Sequence, residues 1–166
     1  NLDGRCFDFN SGTAGIQVDW IRKLYNLGAK RCFDVVSVHP YNSGLHPRTP
    51  SWDGGTPRWI VAMREVRQVM RRHNDARASV WFTEFGFSTV KKSLGGVTER
   101  QQAKWIVAMI KMTDRRLPFV KRMFVYMSRD ERSPDLVKDR HYGLYTLKLK
   151  PKRSAQALDR YLTRVK

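Results

Sequence analysis

Cysteine is scarce in this chain. Cys6 and Cys32 are the only two thiols in 166 residues, and they form neither a CxxC pair nor a Cys/His spacing that would suggest a zinc site. Whether they are free or joined stays open, and the compartment with it. No apolar run approaches the roughly 18 residues of a membrane span, so none is expected. The opening segment NLDGRCFDFN has neither a basic nor an apolar leader region, so a retained signal peptide is not expected either. The first residue is Asn rather than Met, which leaves a processed product or a fragment of a longer parent open. Acidic residues are also short: 15 Asp and Glu stand against 32 Lys and Arg, a net charge of +17. That excess suits an acidic partner such as a nucleic acid, an anionic glycan or a charged envelope, and says nothing about fold.

What remains is ordinary globular material. With 41% hydrophobic residues, 11 Gly and 7 Pro, the chain can bury a single core and is expected to form one domain over residues 1–166. The basic residues are dispersed, among them Arg64, Arg67, Arg71, Arg72, Arg115, Arg116, Lys121, Lys148, Lys150, Lys152 and Arg153. Most read as solvated faces, with a polyanion-binding subset as the alternative.

Periodicity gives the organisation. Asp19 followed by WIRKLYNL and Gly28 reads as N-cap, amphipathic stripe and C-cap of a helix. FDVVSVH (Phe33–His39) reads as a strand covered on both faces. A Gly- and Pro-rich loop, Pro40 to Pro57, is longer than a connection requires and so reads as functional. Trp59, Met63, Val66, Val69 and Met70 mark a second helix ending near His73. Thr98 and Gln101 form a capping box opening a third, closed before Pro118. FVKRMFVYMS (Phe119–Ser128) is a further strand. After a polar loop and GLYTLKL, Ala155, Leu158, Tyr161, Leu162 and Val165 line a last helix. The alternation is that of an α/β chain with a parallel sheet and right-handed crossovers.

The most informative run is SVWFTEFGFST (Ser79–Thr89), a buried strand ending in Glu84. A carboxylate at a buried strand end is costly unless it has a partner or a task. An ion-paired structural Glu is the plainer alternative. Parallel sheets gather chemistry at the strand C-terminal ends, and there His39 with Tyr41, Glu84, and Tyr126 with Arg129 share one rim. Each alone has a bland reading, as a strand-end histidine or a core tyrosine. Three strands supplying polar groups to one edge carry more weight together.

In order, FDVVSVHPYN, WFTEFGFST, VTERQQAKWIVAMI, VYMSRD and HYGLYTLKLKPKRSAQALDRYL resemble the C-terminal half of a clan A (β/α)8 glycoside hydrolase, similar to family 39 and bacterial exopolysaccharide hydrolases. The resemblance runs from about Asp19 onward. It implies a partial TIM barrel, roughly strands five to eight, with Glu84 as nucleophile of a retaining mechanism. His39 and Tyr41 would hold the nucleophile and the sugar at the end of strand six. Tyr126 and Arg129 at the end of strand eight, and Trp52 in the long loop, would bind the saccharide. No metal or cofactor is implied. An extracellular or phage-associated parent fits the resemblance.

One departure is large. A retaining glycosidase needs a second carboxylate about 5–5.5 Å from the first, which the family carries on an Asn-Glu pair ending strand four. This sequence contains no Asn-Glu pair, and Glu65, Glu99 and Glu131 fall on helices or in a late loop. On this resemblance strands one to four are expected to fall outside this sequence, with Asn1 to Asn10 expected as a remnant near strand five. Half a barrel leaves two strand edges and an inner face uncovered. The expected partners are therefore an oligo- or polysaccharide and a second polypeptide, or a second copy, that completes the barrel. The alternative is a non-catalytic basic half-barrel that binds glycan, nucleic acid or proteins in a larger assembly.

Overall fold

A computed structural model describes residues 14–42, 44–51, 55–132 and 138–165. Three strands, β1 (Val35–Val38), β2 (Ser79–Phe85) and β3 (Val120–Val125), make one parallel sheet in the order β1-β2-β3. Parallel neighbours need a crossover. Helix α2 (Arg58–Arg72) carries the chain from β1 to β2, and α3 (Glu99–Arg116) from β2 to β3. Helix α1 (Ala14–Asn26) precedes β1 and packs on α2, while α4 (Arg153–Arg164) closes the series and packs on α3. Among the described residues no helix is long and apolar enough to cross a membrane.

The helices follow from their sequences. Trp59, Met63, Val66 and Met70 bury one face of α2, the stripe expected of a core-facing helix. Thr98 and the Gln101 side chain satisfy each other's backbone N–H groups at the start of α3, as a capping box requires. Asp19 departs from expectation: it lies inside α1 rather than capping it, and pairs with Arg22 one turn on. The reason is the buried stripe Val18, Ile21 and Tyr25, which begins before Asp19 and so draws the helix start upstream. Gly28 ends this region in the left-handed conformation at φ 77°, which a residue with a Cβ adopts only at a cost.

The sheet has two unlike faces. Val36, Val38, Val80 and Phe82 lie beneath the helices, none more than 5% exposed. On the other face Ser37, Trp81 and Arg122 stand in register across the three strands. There Ser37 and Arg122 are exposed, Trp81 is half-buried and Phe124 is 49% exposed. Among the described residues β1 and β3 each pair only with β2, so both outer edges are unpaired. FDVVSVH was expected to be covered on both faces, and Ser37 shows that it is covered on one. The described strands number three rather than the four expected; the proposed remnant over Asn1–Asn10 lies outside the described residues.

Candidate active site

Simple alternation along β2 would send Glu84 beneath the helices with Val80 and Phe82. An irregularity prevents this. Phe82 pairs with Met123 and Phe85 with Val125, so three steps on β2 match two on β3. One extra residue makes a bulge, which re-aims the side chains around it. Thr83 and Glu84 both stay out of the helix layer, and burial resumes at Phe85, which is 0% exposed.

The carboxylate so turned is held from the loop after β1. Tyr41 donates its phenol hydrogen to Glu84 Oε2 at 2.9 Å, and His39 Nδ1 lies 3.6 Å from the same oxygen. Glu84 is neither sealed nor fully solvated, with a side chain 36% exposed. Burial, then the hydrogen bond to Glu84 and its charge, push the Tyr41 phenol far above its ordinary range. The contact thus favours the neutral, donating form of Tyr41. The other ring nitrogen of His39, Nε2, lies 2.9 Å from Thr83 Oγ1, which in turn bonds Ser37 Oγ. The imidazole thus lies between Thr83 and Glu84, both at the bulge, with Ser37 of β1 steadying Thr83. Asn42, 6% exposed, donates to the carbonyls of Leu45 and His46 and so shapes the loop that presents Tyr41.

Two more rings close the rim. Tyr41 packs edge-on against Tyr142 at 5.5 Å and Tyr126 at 6.4 Å, and Tyr126 meets Tyr142 at 5.7 Å. A cis peptide joins Tyr126 to Met127. Gly86 follows the carboxylate strand because a Cβ there would collide with the Tyr126 carbonyl and press on the Tyr142 ring. Arg129 is exposed; its backbone bridges to Tyr145, but among the described residues no side-chain bond joins it to Glu84. Trp52 lies outside the described residues. Tyr142, Thr83 and Ser37 are site residues that reading the sequence missed. The signal for Tyr142 was its place in HYGLY, just after a polar loop.

A buried polar clamp sets Tyr142 in place. Segment 142–145 runs beside 127–130 through backbone bonds such as Leu144 N to Met127 O at 3.0 Å. Asp130 accepts from Gly143 N at 2.9 Å and from Lys152 Nζ at 2.7 Å, and Lys152 also donates to Thr89 Oγ1 at 2.9 Å. Lys152 was counted among dispersed, mostly solvated charges, yet its side chain is 3% exposed. It corrects that reading. Gln102, 0% exposed, donates to the carbonyls of Phe87 and Tyr142 and accepts from Ser154. These bonds tie α3, α4 and the loops after β2 and β3 into one support. Among the described residues no three His, Cys, Asp or Glu side chains gather as metal ligands.

Fold comparison relates the architecture to solved structures. The chain is similar to a family 39 glycoside hydrolase from the gut symbiont Bacteroides cellulosilyticus WH2, with a TM-score of 0.68 and 19% identity over 89% of this chain and 30% of that one. It is also similar to the β-glucuronidase of Faecalibacterium prausnitzii, with a TM-score of 0.54 and 20% identity over 82% of this chain and 23% of that one. A β-glucuronidase from Ruminococcus gnavus, in complex with N1-substituted uronic isofagomine, gives a TM-score of 0.51 and 17% identity over 87% of this chain and 29% of that one. The fold is therefore that of part of a glycoside hydrolase barrel, in keeping with the resemblance read from the sequence, and the chain spans less than a third of each of these proteins. No protein-family model and no curated protein matches the chain.

Proposed function

We propose that this chain is the nucleophile-bearing part of a retaining glycoside hydrolase, with Glu84 as nucleophile. The carrying observation is the 2.9 Å hydrogen bond from Tyr41 to Glu84 Oε2, at a strand end turned outward by a bulge. With Oε2 held, Oε1 attacks the anomeric carbon. The new bond is a glycosyl ester, and the bond to the leaving oxygen breaks. That oxygen needs a proton, and water must later be deprotonated to release the sugar. Both tasks fall to an acid/base carboxylate carried by the N-terminal half of the barrel. His39 and Tyr41 keep the carboxylate oriented; Tyr126, Arg129 and Trp52 contact the saccharide.

The test is reconstitution. Mixed with a polypeptide supplying the first half of the barrel, the chain should hydrolyse aryl glycosides. A 2-fluoro glycoside should trap a covalent adduct that maps to Glu84 by mass spectrometry. Glu84→Gln should abolish both, and hydrolysis surviving that change ends the assignment.

A second reading has its own observation. Asp130, a carboxylate in the loop beside Tyr142, is taken up by a structural ion pair with Lys152 at 2.7 Å. A non-catalytic half-barrel acting within an assembly accounts for that equally. It predicts no adduct with the fluoro sugar in any pairing.

A further inference from the structure

The end of the sheet opposite Glu84 carries a concavity. It is a groove of about 1400 Å³ lined by the outer turns of α2, the turn entering β2 and the passage from α3 into β3. From Ser79 at this end to Glu84 is about 17 Å along an extended strand, so the two features cannot share one small ligand. Helix packing explains the groove: the main helix contacts are α1 on α2 and α3 on α4, which leaves a cleft between the pairs.

Its lining is strongly one-sided in charge. Arg64, Arg71, Arg72, Arg77, Arg116 and Lys121 face it, all exposed, with Glu65 as the single carboxylate. Among the described residues none of these six cations has an ion-pair partner. Arg67 serves the walls instead, donating to the Ala78 carbonyl at 2.8 Å and lying 5.2 Å over the Phe119 ring. The aromatic face in the groove is thereby covered, which removes the stacking platform that single-stranded nucleic acids use. A duplex is a convex rod, and its phosphates meet ridges rather than the floor of a cleft. A single acidic chain fits better. Five of the six cations are Arg, whose planar fork takes carboxylates in pairs.

From this we infer that the groove is a binding site for an acidic polysaccharide, a uronate-bearing chain held by charge and bidentate hydrogen bonds. The site does not depend on Glu84 being catalytic. It would anchor a polymer on the surface away from the rim, whichever reading of the rim holds.

Fluorescein-labelled polygalacturonate fragments, followed by anisotropy at rising salt, provide the test, with dextran fragments and a duplex DNA as comparators. The wild-type chain should bind polygalacturonate, ignore dextran, and weaken as salt rises. The triple substitution Arg71→Gln, Arg72→Gln, Arg116→Gln should weaken binding about tenfold, since each cation lost removes one screened attraction. An equal charge change on the surface that α3 shares with α4, Arg100→Gln, Lys104→Gln, Arg160→Gln, should leave it within about twofold. If the first triple variant loses its circular dichroism signature, Arg77→Gln with Lys121→Gln replaces it. Equal losses in the groove and control sets, tighter binding of the duplex at matched salt, or no polygalacturonate binding would each overturn the inference.

Discussion

The two faces of the sheet meet opposite surroundings although they share three strands. Under the helices Val80, Phe82 and Phe85 are 0% exposed, while on the other face Phe124 is 49% exposed beside a half-buried Trp81. The covered face is finished by this chain's own crossover helices. The open face holds apolar rings, an exposed Arg122 and hydroxyls that already bond one another, Ser37 to Thr83. A mixed, half-exposed surface of that kind, between edges unpaired among the described residues, is consistent with the inward face of part of a barrel. The chain therefore carries stability on one side and unfinished business on the other.

The contrast can be broken experimentally, beginning with the largest effect. Phe82→Ala should cost about 3–5 kcal/mol in urea unfolding, as a large core truncation does. Lys152→Met should cost about as much, because it strands the Asp130 carboxylate in the interior. A loss well under 1 kcal/mol for either would mean that the covered face and its clamp are looser than described. Alkaline pH should act next. Tyr25, bonded to Asp75 at 2.7 Å, and Tyr41 both have phenols raised above their ordinary value of 10.0. A raised folded-state value contributes stability that is intact below the unfolded value and lost above it. The urea midpoint should therefore fall as pH climbs past about 10, and less steeply in a Tyr25→Phe, Tyr41→Phe double variant. Smallest of all, Phe124→Ala should change stability by no more than about 0.5 kcal/mol in the isolated chain. Adding a barrel-completing partner should sharpen the contrast: Trp81 emission should shift to the blue, and Phe124→Ala should then weaken the association.

Much of the frame was legible because it is local. The Thr98 and Gln101 box, the α2 stripe and the run from Ser79 to Phe85 depend on neighbours in sequence, and the structure has each of them. The meeting of Glu84, His39 and Tyr41 was also visible, since rim positions follow from parallel strands. What escaped depends on distant partners. The bulge at Thr83 and Glu84 is a mismatch between β2 and β3, and neither strand shows it alone. Lys152 sits in a run of basic residues that looks solvated, and only Asp130 and Thr89 reveal it as buried. Tyr142 reaches Tyr41 because a loop folds back to lie beside residues 127–130, beyond β3, a path that no periodicity records. Asp19 misled because a capping residue type also occurs within helices, where Arg22 can pair with it.

The clamp on Asp130 has a consequence for biogenesis. Position 84 leaves the ribosome well before position 152, and domains mature from their N-terminal parts as synthesis proceeds. The sheet and its first helices can assemble early, but the Asp130 carboxylate that holds Gly143 has no counter-charge until the late lysine arrives between it and Thr89. The nascent chain thus holds an uncompensated Asp130 for a time, and the support beneath the rim waits on Lys152, just before α4.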